Sequence, residues 1–169
     1  MVDGALHIVV MGVAGCGKSA VGTRLAAQLG LPLIEGDDFH PPANIAKMQR
    51  GEPLTDADRA DWLATLGEQL VQSPGGAVLT CSALKRRYRD GLRAAWPGLR
   101  FIYLQISPDE SLRRVAARSA HFYPPTLVVS QFEALQSPEK EALVLTLDAT
   151  AGLEELAWQA AQWLRLPAL

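Results

Sequence analysis

The run Gly12-Val13-Ala14-Gly15-Cys16-Gly17-Lys18-Ser19 has the spacing G-x-x-x-x-G-K-[ST], which suits a loop that wraps backbone N–H groups around phosphates. Glycines present no Cβ to block the approach of an anion to the main chain. A helix opening at Lys18 would aim its unpaired N–H groups and its positive dipole end at the same anion. In this geometry Lys18 meets the β- and γ-phosphates of ATP and the Ser19 hydroxyl is an oxygen ligand for Mg²⁺. The expected nucleotide contacts are Gly12, Val13, Ala14, Gly15, Cys16, Gly17, Lys18, Ser19 and Ala20, with Ser19 as the metal ligand. A plain glycine turn could share the glycines, but it has no use for the Gly-Lys-Ser ending.

Phosphoryl transfer to a hydroxyl also needs a carboxylate to orient that hydroxyl and accept its proton. Asp37 and Asp38 follow the short apolar run 32–35, and Asp37 stands where that run ends. His40 follows closely and could hydrogen-bond a substrate; a solvated turn would use the same residues. Between Asn44 and Trp62 lie Lys47, Arg50, Asp58 and Arg59, mixed donors and acceptors around a Pro-containing bend. Such a set suits a polyol acid, though a solvated helical surface carries similar charges. A basic run begins at Lys85, and Lys85 and Arg89 share a helix face. Both could reach an anionic substrate, whereas Arg86, Arg87 and Arg93 read as a solvated face. Arg114 and Arg118 have the same four-residue spacing and precede Ser119-Ala120-His121-Phe122-Tyr123-Pro124-Pro125, a lid-like segment. An arginine on a closing lid can stabilise the charge of the transferring phosphoryl group. No acid follows the third apolar run, where Cys81-Ser82 stand. The metal is therefore expected on Ser19, ATP and water, with an acid of the second strand acting through water.

These residues need a scaffold that gathers them at one rim. Candidate strands at 7–11, 32–35, 77–81, 100–106 and 143–147 are separated by helical patterns. Near-continuous apolar strands alternating with helices predict a parallel α/β sheet covered on both faces. Thr55-x-x-Asp58 reads as a capping box, and Ser107-Pro108-Asp109-Glu110 as a second helix start. Residues 36–54 and 119–126 show the least regular pattern and read as mobile elements over the site. The length of 169 residues suits one domain, 1–169, with a substrate-binding region at 36–72 and a lid at 118–135. The net charge of -2 argues against nucleic acid as the main partner. No apolar stretch reaches membrane-spanning length. Cys16 and Cys81 lack metal-site or disulfide spacing, so a reduced, cytoplasmic protein is expected.

Several blocks together resemble the gluconokinases, small P-loop kinases related in fold to shikimate and nucleoside monophosphate kinases. They are Met11 to Ser19, Gly36-Asp37-Asp38-Phe39-His40-Pro41, Asn44 with Lys47-Met48, and Gly51-Glu52-Pro53-Leu54 with Asp56, Asp58-Arg59 and Trp62. Cys81-Ser82-Ala83-Leu84-Lys85 with Tyr88-Arg89-Asp90, His121-Phe122, and Ser130-Gln131-Phe132-Glu133 complete the set. The resemblance implies phosphorylation of D-gluconate by ATP with Mg²⁺, a five-stranded parallel sheet in the order 2-3-1-4-5, and a homodimer. It implies catalytic roles for Lys18, Asp37 and Arg118, with Arg114 on the nucleotide. It also implies substrate contacts from Asp37, His40, Lys47, Arg50, Asp58, Arg59, Lys85, Arg89, His121 and Gln131. Glu35 departs from the family, where Asp is frequent, and Pro124-Pro125 stiffens the lid segment.

Overall fold

The chain is described from a computed structural model, which covers residues 5–118 and 123–165. Five parallel strands form one sheet in the order β2-β3-β1-β4-β5. They are β1 (His7–Met11), β2 (Leu33–Glu35), β3 (Ala77–Thr80), β4 (Arg100–Gln105) and β5 (Val144–Asp148). The central strand β1 pairs Ile8 with Val78 of β3 on one side and with Arg100 of β4 on the other. All five residues of β1 are buried, as a strand covered on both faces requires.

Alternation along the strands divides the core in two. Ile8, Val10, Val78, Ile102 and Leu104 face α1 (Lys18–Leu29) and α7 (Leu153–Leu164), which contribute Val21, Leu25, Leu156 and Ala160. Val9, Met11, Leu79, Phe101 and Tyr103 face α3 (Asp56–Val71) and α4 (Arg86–Ala95), which contribute Trp62, Leu66, Leu70 and Leu92. Full burial of each large side chain contributes about 1.5–3 kcal/mol, so these two layers hold the strand ends in register.

The helix starts obey local chemistry. Thr55 caps α3 in a complete capping box: its hydroxyl accepts from the Asp58 N–H at 3.1 Å, and the Asp58 carboxylate accepts from the Thr55 N–H at 2.8 Å. Ser107 caps α5 (Pro108–Ala117) by accepting from the Glu110 N–H at 3.2 Å. Two helices lie where the sequence pattern was irregular: α2 (Pro42–Gln49) and α6 (Pro125–Ala134). Both open on a proline at the first turn, where the missing N–H does no harm. Among the described residues, no helix is long and apolar enough to cross a membrane.

Candidate active site

The carboxyl ends of the strands form one rim, the position at which open parallel sheets bind ligands. At its centre the loop Gly12–Ser19 joins β1 to α1. Gly12 has a φ of +149°, and a Cβ there would lie 2.6 Å from Cys16 Sγ and 2.9 Å from the Leu104 carbonyl oxygen. The loop therefore closes on the core only with glycine at this position. Val13 and Cys16 point inward and are buried. Lys18 folds over the loop, donating from Nζ to the carbonyls of Gly12 at 3.0 Å and Val13 at 3.2 Å. Ala20 lies in the first turn of α1 and is exposed.

Three side chains distant in sequence brace this loop. Ser111 of α5 donates to the Ala14 carbonyl at 2.6 Å, and Gln131 of α6 accepts from the Ala14 N–H at 2.7 Å. Arg114 donates to the Gly15 carbonyl at 3.2 Å and to the Ala149 carbonyl at 3.0 Å, tying the loop after β5 to the phosphate loop. Gln131 was expected on the acceptor substrate. The structure instead commits its oxygen to the phosphate loop and its amide nitrogen to the Tyr123 hydroxyl at 2.8 Å. Arg118 ends α5 and is exposed. His121 lies outside the described residues.

Ser19 donates its hydroxyl to Glu35 Oε2 at 2.8 Å, which joins the start of α1 to the end of β2. A hydroxyl and a carboxylate side by side are hard oxygen donors that fit Mg²⁺, an ion that takes few protein ligands and keeps water and phosphate oxygens for the rest. Among the described residues, no group of three or more His, Cys, Asp or Glu side chains is placed to hold a metal ion. The Glu35 side chain thus reaches the Ser19 hydroxyl from the end of β2.

Asp37 lies on a single 3-10 turn, Gly36–Phe39, directly after β2. Two anchors seat that turn. The Gly36 N–H donates to Thr80 Oγ1 at 3.3 Å, and a Cβ on Gly36 would come within 2.2 Å of the Thr80 carbonyl oxygen. From the other side, the Trp62 indole N–H donates to the Gly36 carbonyl at 2.8 Å. Asp37 itself projects outward, its side chain 87% exposed. The ring of His40 stacks on Trp62 with centroids 4.1 Å apart.

Beyond Asp37 the acceptor side is a network of ion pairs. Lys47 Nζ meets Asp58 Oδ2 at 2.6 Å, and Lys85 Nζ meets Asp56 Oδ1 at 2.9 Å. Arg87 and the Tyr88 hydroxyl also reach Asp56. Hydrogen bonds from Tyr88 and Lys85 hold the Asp56 carboxyl down at about 2. Those from Lys47 and Thr55 hold Asp58 down at about 2. Arg59 differs: its guanidinium donates to the Tyr88 hydroxyl at 3.1 Å and lies 5.4 Å from that ring centroid. Arg50 turns away to Glu52 at 3.1 Å in solvent. Tyr123 borders the same space; burial first, and then Asp37, push its hydroxyl up to about 12.

Arg89 corrects the sequence reading outright. It is fully buried and uses every N–H of its guanidinium on protein groups. Nε donates to Glu141 at 3.0 Å, one terminal nitrogen to the carbonyls of Ala83 and Leu84 at 2.8 and 3.1 Å, and the other to Gln136 and Glu141 at 2.8 and 2.6 Å. No donor is left for a substrate. Burial pushes the Glu141 carboxyl up, but Arg89 and Arg93 outweigh it and leave it below its ordinary value. Cys81, directly after β3, is buried, and burial pushes its thiol up to about 12, so it supplies no thiolate.

A glycine phosphate loop, a rim acid and a five-stranded 2-3-1-4-5 sheet define a P-loop kinase. The chain matches the AAA domain family model over residues 8–138. It is 48% identical to a gluconokinase of Gluconobacter oxydans over 82% of this chain and 79% of that protein. Its identity to the thermoresistant gluconokinase of Escherichia coli is 44%, covering 84% and 85% of the two chains. The crystal structure of a gluconokinase from Sinorhizobium meliloti superposes with a TM-score of 0.86 at 47% identity, over 92% of this chain and 89% of that one. The chain belongs to the gluconokinase family, a group of nucleotide-binding phosphotransferases that use an alcohol acceptor.

Proposed function

We propose that the protein transfers the γ-phosphoryl group of ATP to the 6-hydroxyl of D-gluconate, giving ADP and 6-phospho-D-gluconate. The observation that carries this reading is the pairing, on one rim, of the Lys18 loop with an exposed strand-end carboxylate, Asp37, inside a gluconokinase framework. Backbone N–H groups of the loop bind the phosphates, and Lys18 leaves its resting carbonyl partners to neutralise charge on the β- and γ-oxygens. Mg²⁺, when bound, offsets the charge of the phosphates; Ser19 and Glu35 are the residues that would hold it. Asp37 accepts the proton of the attacking hydroxyl. Arg118 brings charge to the transferring group as the lid segment 118–135 closes.

On the acceptor side, Lys47, Arg59 and Lys85 contact gluconate beside His40, and Arg59 takes the carboxylate. It is the acceptor-side cation whose described partner is a phenol rather than an acid. Asp58 acts through Lys47 and the helix cap, and Gln131 and Arg114 act by bracing the loop. One domain carries all of this, with residues 36–72 forming the substrate-binding region. The reading includes a cytoplasmic location and a homodimer. Light scattering on the purified protein tests the dimer.

The direct test is ADP release with D-gluconate, other sugar acids, shikimate and nucleoside monophosphates as acceptors. Release that depends on gluconate supports the proposal. Preference for another acceptor assigns the fold to a different small metabolite, and ATP binding with no acceptor-dependent release makes the chain a nucleotide-binding module.

A further inference from the structure

The short turn that carries Asp37 ends at His40, and the hydrogen bonds around that imidazole fix where its proton sits. Asn44 is buried, and its Nδ2 donates to the main-chain carbonyl of Asp58 at 3.0 Å. A carbonyl oxygen only accepts, so this atom of Asn44 is the amide nitrogen, which only donates. The same nitrogen lies 3.3 Å from His40 Nδ1. Nδ1 must therefore accept, and a neutral imidazole then carries its hydrogen on Nε2. Nε2 faces Asp37 Oδ1 at 3.7 Å, and the His40 side chain is only 6% exposed. At 3.7 Å this is not a hydrogen bond; a small rotation of the solvent-exposed carboxylate makes it one, the kind of contact that tightens when substrate binds.

We infer that Asn44 holds His40 as the neutral Nε2–H tautomer, and that this imidazole is a positioning residue for Asp37, donating to its carboxylate as the acceptor hydroxyl arrives. The inference rests on the reading of Asp37 as the acceptor-side base. A neutral donor suits that task. It fixes the orientation of a carboxylate that solvent would otherwise let rotate, and it leaves the negative charge available for the hydroxyl proton. An imidazolium would compete for that charge and would point a second N–H at the Asn44 amide. The surroundings favour the neutral form: burial lowers the His40 pKa, Asp37 raises it and Arg59 lowers it, with a net shift downward. Trp62 completes the device, because it holds the ring by stacking and holds the turn through the Gly36 carbonyl. The arrangement also removes His40 as a base, since neither ring nitrogen is left to take a proton from substrate.

The test combines ring ¹⁵N spectroscopy with kinetics. The chain has three histidines, so the imidazole spectrum of labelled protein is simple, and His40→Gln assigns the His40 signals. The expected spectrum at neutral pH shows Nδ1 unprotonated and Nε2 protonated. His40→Gln, which retains a neutral donor, should keep kcat within about fivefold, whereas His40→Leu should lose about 10- to 100-fold, the range for a hydrogen bond to a charged group. Asn44→Asp should move the ring proton to Nδ1 and lower kcat by a similar factor while ATP KM stays within about twofold. An Nδ1–H tautomer or an imidazolium in the wild-type protein overturns the inference. So does a His40→Gln enzyme as slow as His40→Leu. Should the leucine or aspartate variant fail to fold, the wild-type spectrum and the kcat of His40→Gln decide between these outcomes. A wild-type protein that releases no ADP with gluconate refutes the functional reading, and the spectrum still reports the tautomer.

Discussion

The two halves of the rim are built by different means. On the nucleotide side the working groups are backbone N–H groups, and the side chains around them, Ser111, Gln131 and Arg114, hold main-chain atoms. On the acceptor side the working groups are side chains, and they hold one another: Lys47 with Asp58, Lys85 with Asp56, Arg59 with Tyr88. A phosphate chain is the same in every relative, so a shape fixed by the main chain suffices to bind it. A polyol acid must be told from its isomers, and that requires donors and acceptors placed individually.

The largest break in this contrast comes at Lys18, the charged side chain that folds over the phosphate loop. Lys18→Ala should lower kcat by about 100- to 1,000-fold or more, in line with the loss of a positioned transition-state charge. Its melting temperature should stay near that of the parent, because Lys18 contacts only loop carbonyls. Steady-state rates and circular-dichroism melts on one preparation check both parts. A smaller effect sharpens the acceptor side. Arg59→Ala should raise gluconate KM by about tenfold or more, the scale of one charge-assisted hydrogen bond, with ATP KM little changed. Lys85→Ala should do less, because Arg87 and Tyr88 still hold Asp56. Equal effects of the two variants would remove the distinction drawn between them.

The smallest expected effect is on acid stability. Asp56 and Asp58 titrate at about 2 in the folded chain, below the ordinary carboxylate value of 3.8. Their partners thus favour the folded state above pH 3.8, and this contribution falls away as pH drops from there through about 2. Urea midpoints should be level between pH 7 and 5 with respect to these groups and should decline below about pH 4. Asp58→Asn should make that decline shallower, while an unchanged slope would show that the pairs add nothing to stability.

The difference between the halves also explains what could be read from the sequence. The strands and the phosphate loop were legible because apolar runs and glycine spacing are local signals, and Thr55-x-x-Asp58 marked its helix start correctly, whereas the strand order came only with the family resemblance. The helices α2 and α6 were not legible, and neither carries a side-chain cap at its start. Residue type marked Arg89 as a substrate cation, yet its partner Glu141 stands 52 positions along the chain, where no local pattern could announce it. The bond of Gln131 to the phosphate loop was equally silent in the sequence, as Ala14 is 117 positions away. Glu35 was legible as an acid at a strand end, but its reach to Ser19 was not.

The buried Arg89 also bears on how firmly distant parts of the chain are held together. It joins the loop after β3 to residues 136 and 141, contacts that require a long stretch of chain to close before they give any return. Removing its guanidinium would leave the buried Glu141 carboxylate with Arg93 alone, the kind of half-broken buried pair that destabilises a fold. The arginine that sequence assigned to substrate thus works as a clasp between the loop after β3 and the segment that leads into β5.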